Sequence, residues 1–136
     1  MSSSFVILVV EDDDDDRLLL ETAMHKSKLN CQLAFARDGE NALDMLETME
    51  TPPALIITDL NMPFMDGMEF VRELKNSSSW SKIPVIMLST TTTESTIRQA
   101  YDNGVSSFIS KPPTFEGLQQ VWQQLYKSWV MPTQGS

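Results

Sequence analysis

Phe5-Val6-Ile7-Leu8-Val9-Val10-Glu11-Asp12 decides the fold. Its apolar part is rich in β-branched residues and shows no polar alternation. Such a run reads as a strand buried on both faces, as in a parallel sheet covered by helices. Ala54-Leu55-Ile56-Ile57-Thr58 is a second run of this kind, and Asp59 closes it. An acid just past a buried strand lies at the carboxyl edge of the sheet, where open α/β sheets hold their ligands. Two strands ending in acid gather Glu11, Asp12 and Asp59 in one crevice. Like charges a few ångströms apart repel, so the cluster calls for a cation. The economical reading is a divalent-metal site with one carboxylate left to react.

Outward from these runs, strand-like and helix-like segments alternate five times. Residues 14–28 read as the first helix, with Asp13 or Asp14 as N-cap and acids in its first turn. Residues 31–36 form the second strand, Asp38-Gly39 the turn, and residues 41–49 the next helix, stopped by Pro52-Pro53. The third strand, 54–58, leads through Pro63 and Asp66-Gly67 to a helix over 68–75. Residues 84–88 are the fourth strand, followed by a helix over 94–103 that ends at Gly104. A short fifth strand, 107–110, precedes a last helix over 115–129, whose first turn Gly117 weakens. Leu118, Val121, Trp122, Leu125 and Trp129 recur along it at helical spacing. Strict alternation implies right-handed crossovers and a doubly wound α/β sheet. One domain accounts for residues 5–130, and residues 1–4 and 131–136 read as flexible termini.

Composition narrows the function. The 136 residues are 41% hydrophobic, enough for a real core in one domain of ordinary size. No apolar run approaches the roughly 20 residues needed to span a bilayer. The first apolar stretch lacks a basic leader and ends in acids, which disfavours a signal peptide. Cys31 is the single cysteine and sits in a strand-like run, so it reads as a buried structural thiol in a reducing cytoplasm. A net charge of -9 and a pI near 4.4 disfavour direct nucleic-acid binding and adhesion to an anionic membrane. The acids at 11–16 follow a buried strand and precede Leu18-Leu19-Leu20, which places them in structure rather than in a tail.

An aspartate carboxylate at Asp59 can attack phosphorus and form an acyl phosphate. Mg²⁺ or Mn²⁺ suits that chemistry, with Glu11 and Asp12 in its shell and the backbone carbonyl of Asn61 nearby. Ser89 ends the fourth strand at the same edge, where a hydroxyl can donate to a phosphoryl oxygen. Lys111 ends the fifth strand, where an ammonium can pair with carboxylates or with an added phosphoryl group. Singly, each has an ordinary alternative: a helix cap, a polar loop, a solvated lysine. As an ordered set on strands one, three, four and five, they are far more specific. His25 lies mid-helix without a kinase motif, and no Gly-rich phosphate loop occurs, so direct use of ATP is disfavoured.

This set resembles the response-regulator receiver domains of two-component signalling, and among them the stand-alone kind typified in chemotaxis. The motifs that carry it are Val9-Val10-Glu11-Asp12, Thr58-Asp59-Leu60-Asn61-Met62-Pro63 with Asp66-Gly67, Leu88-Ser89-Thr90, and Phe108-Ile109-Ser110-Lys111-Pro112. The resemblance implies a flavodoxin-like five-stranded parallel sheet of order 2-1-3-4-5 with helices on both faces. It implies that Asp59 accepts phosphate from a histidine kinase or histidine phosphotransfer protein. Glu11, Asp12, Asp59 and the Asn61 carbonyl would bind Mg²⁺ or Mn²⁺. Ser89 and Lys111 would contact the phosphoryl group, the Lys111–Pro112 bond would be cis, and Phe108 would be the aromatic switch. The fourth helix, fifth strand and fifth helix would then present a changed surface to a downstream protein of unknown identity.

Thr90 departs from the family, which usually has a small residue there, and Phe108 lacks the hydroxyl of the tyrosine that many members carry. Two rival readings are an inert, phosphorylation-independent receiver-like module and a Mg²⁺-dependent phosphatase or phosphotransferase that also uses an aspartyl nucleophile. Intact Asp59, Ser89 and Lys111 oppose the first. Asn61 opposes the second, because such enzymes commonly place an acid two residues after the nucleophile. Core packing on the Leu118/Leu125 side is the favoured reading of Trp122 and Trp129; the alternative is a partly exposed apolar patch of Tyr126, Trp129 and Val130, consistent with a monomer or a weak homodimer.

Overall fold

The structure is a computed structural model and describes residues 5–130; the two expected flexible termini lie outside the described residues. The strands are β1 (Phe5–Val10), β2 (Cys31–Ala36), β3 (Leu55–Asp59), β4 (Val85–Ser89) and β5 (Ser107–Ser110). Between and after them run α1 (Asp14–Lys26), α2 (Gly39–Thr48), α3 (Gly67–Lys75), α4 (Glu94–Asn103) and α5 (Phe115–Leu125). All strand pairs are parallel and the sheet order is β2-β1-β3-β4-β5, as expected. The order reverses at β1 and β3, so the loops leaving these two strands diverge and open a crevice between them.

Alternation along each strand sends successive side chains to opposite faces, which builds two cores. Leu8, Val10, Ile56, Val85 and Met87 pack with Leu46 of α2, Phe70 and Leu74 of α3 and Ala100 of α4. Ile7, Val9, Ile57, Ile86 and Leu88 pack with Leu20 and Met24 of α1 and with Leu118, Trp122 and Leu125 of α5. Trp122 is 1% exposed, and its indole N–H donates to the carbonyl of Leu20, which joins α1 to α5. Cys31 is buried as expected, with its thiol 3.9 Å from the Met24 sulfur.

Helix starts follow their caps. The side chains of Asp13, Asp38, Asp66, Thr93 and Thr114 each accept a backbone N–H of the first turn. Asp66 and Glu69 form a reciprocal capping box at the head of α3. Several boundaries differ from the sequence reading. Helix α1 stops at Lys26 because Lys28 turns to a positive φ of 56°. Helix α2 begins at Gly39, since Asp38 caps it instead of opening a free turn.

The last helix was expected to run unbroken to Trp129. Instead α5 ends at Leu125, and residues Tyr126–Val130 widen into a π-helical turn. That turn swings Val130 into the core, where it is fully buried. Val130 therefore does not belong to an exposed apolar patch, and Trp129 packs partly against the same core. The expected cis bond at Lys111–Pro112 is also absent: no described peptide bond is cis. The trans form is the intrinsically favoured one for X–Pro, and with it Lys111 already reaches the carboxylates described below.

Candidate functional site

Parallel register brings the predicted residues to one edge of the sheet. Val10 pairs with Thr58, Asp59 with Leu88, and Ser89 with Ser110, so the next residues out are Glu11, the loop after Asp59, and Lys111. The Glu11 N–H donates to the carbonyl of Ala36, and the Lys111 N–H to that of Ser89, which extends the ladder just past the strand ends. Glu11, Asp12 and Asp59 each offer a carboxylate oxygen within 4.8 Å of the others. Glu11 is buried, Asp59 is half-buried and Asp12 is exposed. The crevice therefore has a dry floor and an open lip.

Lys111 sits over this cluster. Its Nζ lies 3.0 Å from Glu11 Oε1, 3.1 Å from Asp16 Oδ2 and 3.3 Å from Asp59 Oδ2. An ammonium has three protons, and here three carboxylates face it. Burial pushes the Glu11 carboxyl up from 4.5 to about 7, and the charge of Asp59 adds to the rise, while Lys111 opposes it. For Lys111 itself, burial works against the charged form. The hydrogen bond to Glu11, the charges of Asp59 and Glu11, and the bond to Asp16 outweigh it and hold the ammonium protonated more firmly than usual.

The other oxygen of Asp59 accepts the Leu60 N–H at 2.7 Å, which fixes the carboxylate's rotation. Ser89 is fully buried at the end of β4, and its hydroxyl oxygen accepts the Thr91 N–H at 3.0 Å. Ser89 thus bonds to its own loop. Asn61 is exposed on the loop leaving β3, and Thr90 is exposed beside Ser89. Phe108 packs partly against the core, and its N–H donates to the hydroxyl of Tyr101 on α4.

Two participants escaped the sequence reading. Asp16 was one acid among several; the first turn of α1 aims it at Lys111. The signal available was its spacing, since one turn past the N-cap of a helix faces back toward the strand that precedes it. Tyr101 carried no signal of a role in the sequence. It is 48% exposed, and its ring reaches across to the edge strand β5.

Lys111→Met should expose how the cluster is balanced. The expected loss, in metal-free protein at about pH 8, is about 2 kcal/mol, below the usual range for a broken buried pair because Asp16 is partly exposed. The loss should shrink near pH 5. Because the folded pKa of Glu11 is raised, its favourable contribution is complete below about 4.5 and disappears as pH rises through about 7. Urea unfolding of both proteins at the two pH values measures this; equal losses would mean that the ionisation of Glu11 does not enter the balance around Lys111.

The sequence model of the response regulator receiver domain matches residues 7–123. The chain belongs to that family. It is 33% identical over 117 residues to a probable methanogenesis regulatory protein, FilR2, of Methanothrix harundinacea, covering 83% of this chain and 76% of that one. It is similar to the phosphorylated cyanobacterial phytochrome response regulator RcpA, with a TM-score of 0.86 and 31% identity over 94% of this chain and 95% of that one. The Mn²⁺-bound form of response regulator Rcp1 matches with a TM-score of 0.81 and 30% identity over 93% and 94% of the two chains. This is a receiver domain of two-component signalling. Among the described residues, no helix is long and apolar enough to cross a membrane.

Proposed function

We propose that this receiver accepts a phosphoryl group on Asp59 from a histidine kinase or histidine phosphotransfer protein, and that the change is read by a separate partner. The observation that carries the reading is the convergence of Glu11, Asp12 and Asp59 within 4.8 Å beneath the ammonium of Lys111. An Asp59 oxygen attacks phosphorus, the donor's P–N bond breaks, and its electron pair stays on the ring nitrogen. The histidine leaves as neutral imidazole from its ring-protonated form, and Asp59 becomes an acyl phosphate.

The donor set fits a hard divalent cation. The three carboxylates each offer an oxygen within 4.8 Å of the others, close enough that one ion could be shared among them. Glu11, Asp12 and Asp59 would hold the ion, with the Asn61 carbonyl as the further protein ligand. A bound Mg²⁺ or Mn²⁺ offsets the charge of both the carboxylate and the phosphoryl oxygens. The Mn²⁺-bound and phosphorylated relatives support this assignment. Lys111 gives an N–H to the added group, and Ser89 turns its hydroxyl from its own loop toward it. Phe108 fills the space behind Ser89, and α4, β5 and α5 present the altered surface.

Incubation with Mg²⁺ and acetyl phosphate tests the reading. Intact mass should rise by one phosphate and should not rise in EDTA; no adduct with Mg²⁺ present would overturn it in favour of a phosphorylation-independent module. Metal affinity should also follow pH. The Glu11 carboxyl, at about 7, must shed its proton to ligate, so affinity should fall up to about tenfold for each unit below pH 7. Calorimetric titration with Mg²⁺ at pH 6 and 8 measures this, and a pH-independent affinity would remove Glu11 from the shell.

A further inference from the structure

Asp16 stands apart from the three clustered carboxylates, yet it holds Lys111 as closely as Glu11 and Asp59 do. Its Oδ2 is 3.1 Å from Nζ, nearer than the 3.3 Å of Asp59. Its backbone N–H donates to the Asp13 side chain in the capped first turn of α1, so the carboxylate rides on a helix and not on a loose loop. Behind the pair lies a crevice of about 60 Å³ whose walls include Leu19, Leu20, Leu88 and Leu118. Those apolar walls limit water on the crevice side of the ion pair, while the Asp16 side chain itself remains partly exposed. Asp16 does not share the tight carboxylate cluster, so it has no reason to turn away from Lys111 when that cluster is otherwise engaged.

We propose that Asp16 is a positioning residue for phosphoryl transfer, acting through Lys111: it competes with the phosphoryl group for the ammonium and restrains phosphorylation. This rests on Asp59 being the acceptor. A phosphoryl group on Asp59 needs an N–H from Lys111, and all three of those protons face carboxylates in this structure. Glu11 and Asp59 are drawn into the site as it fills. Asp16 remains beside the lysine and keeps part of its charge from the phosphoryl oxygens. The same contact ties the β5–α5 junction to α1 across 95 residues of sequence. The strength of that tie therefore changes with the state of Asp59.

The test is a double-mutant cycle of Asp16→Asn and Lys111→Met, read as the rate of adduct formation with Mg²⁺ and acetyl phosphate. Salt of about 0.5 M shortens the screening length to about 4 Å, which removes long-range repulsion between Asp16 and the anionic donor. With Lys111 present, Asp16→Asn should speed the reaction about three- to tenfold. In the Lys111→Met background it should leave the rate unchanged within about 1.5-fold. In metal-free protein, the Lys111 ε-methylene resonance should move on Asp16→Asn while those of the other lysines stay in place. Equal acceleration in both backgrounds, or an unmoved Lys111 resonance, would overturn the proposal. A wild-type protein that gains no phosphate would instead sink the assignment of Asp59, and the resonance would still decide whether Asp16 holds Lys111.

Discussion

Asp59→Asn is expected to abolish phosphorylation, with a loss of at least about a hundredfold in adduct formation. The amide oxygen carries no charge and is a poor nucleophile, and no other described carboxylate has the same surroundings. Asp12 is exposed, and Glu11 is buried with a raised pKa. The substitution is nearly isosteric and should keep the fold. Its electrostatic effect runs the other way from its chemical one. Asp59 is the charged neighbour that helps raise the Glu11 carboxyl, so Asn at this position should let Glu11 titrate lower. Carboxyl-carbon NMR follows that shift. A variant that lost the adduct but left Glu11 unmoved would mean that the two carboxylates do not share one pocket.

Gly67→Ala should damage both stability and chemistry. A Cβ at this position would lie 2.3 Å from the carbonyl oxygen of Asp59, 2.9 Å from Leu60 Cα and 3.1 Å from Met87 Cε. The first two are backbone atoms of the segment that carries the acceptor, so no side chain can step aside. The Gly67 N–H also donates to the Leu60 carbonyl, which closes the head of α3 onto the end of β3. Relief requires the chain at Asp59 and Leu60 to move. Overpacking of this kind costs about 1–3 kcal/mol, and the backbone contact places Gly67→Ala at the upper end. A shift of even about 1 Å at a reacting group is worth up to about a hundredfold in rate. Denaturant unfolding and adduct formation should therefore both suffer, the second even in conditions where the variant is fully folded. Wild-type behaviour in both would contradict the packing described for this turn.

The strands were legible because burial on both faces leaves unbroken apolar runs such as residues 5–10, 55–58 and 85–88. The carboxyl edge was legible for the same reason: Glu11, Asp59, Ser89 and Lys111 stand where those runs end. Helix ends were less legible, because they depend on which of several acids or hydroxyls accepts an N–H. Asp38 and Asp13 do so. The π-helical turn at Tyr126 has no pattern signature, since Trp122 and Trp129 satisfy a regular helical spacing equally well. Gly117 looked like a weakness in α5. Its place is set by Pro112, whose Cβ would lie 2.6 Å from an added Cβ, a contact between residues joined only by the folded turn. The link from Asp16 to Lys111 is likewise tertiary, and composition alone could not choose Asp16 from its acidic neighbours.

The most direct test of the account is to locate the phosphate. Protein treated with Mg²⁺ and acetyl phosphate is reduced with borohydride, which converts an acyl phosphate to an alcohol, and the peptides are mapped by mass. The account requires homoserine at residue 59 and at no other acid. Reduction at Asp12, at Glu11, or at none of the three would contradict it.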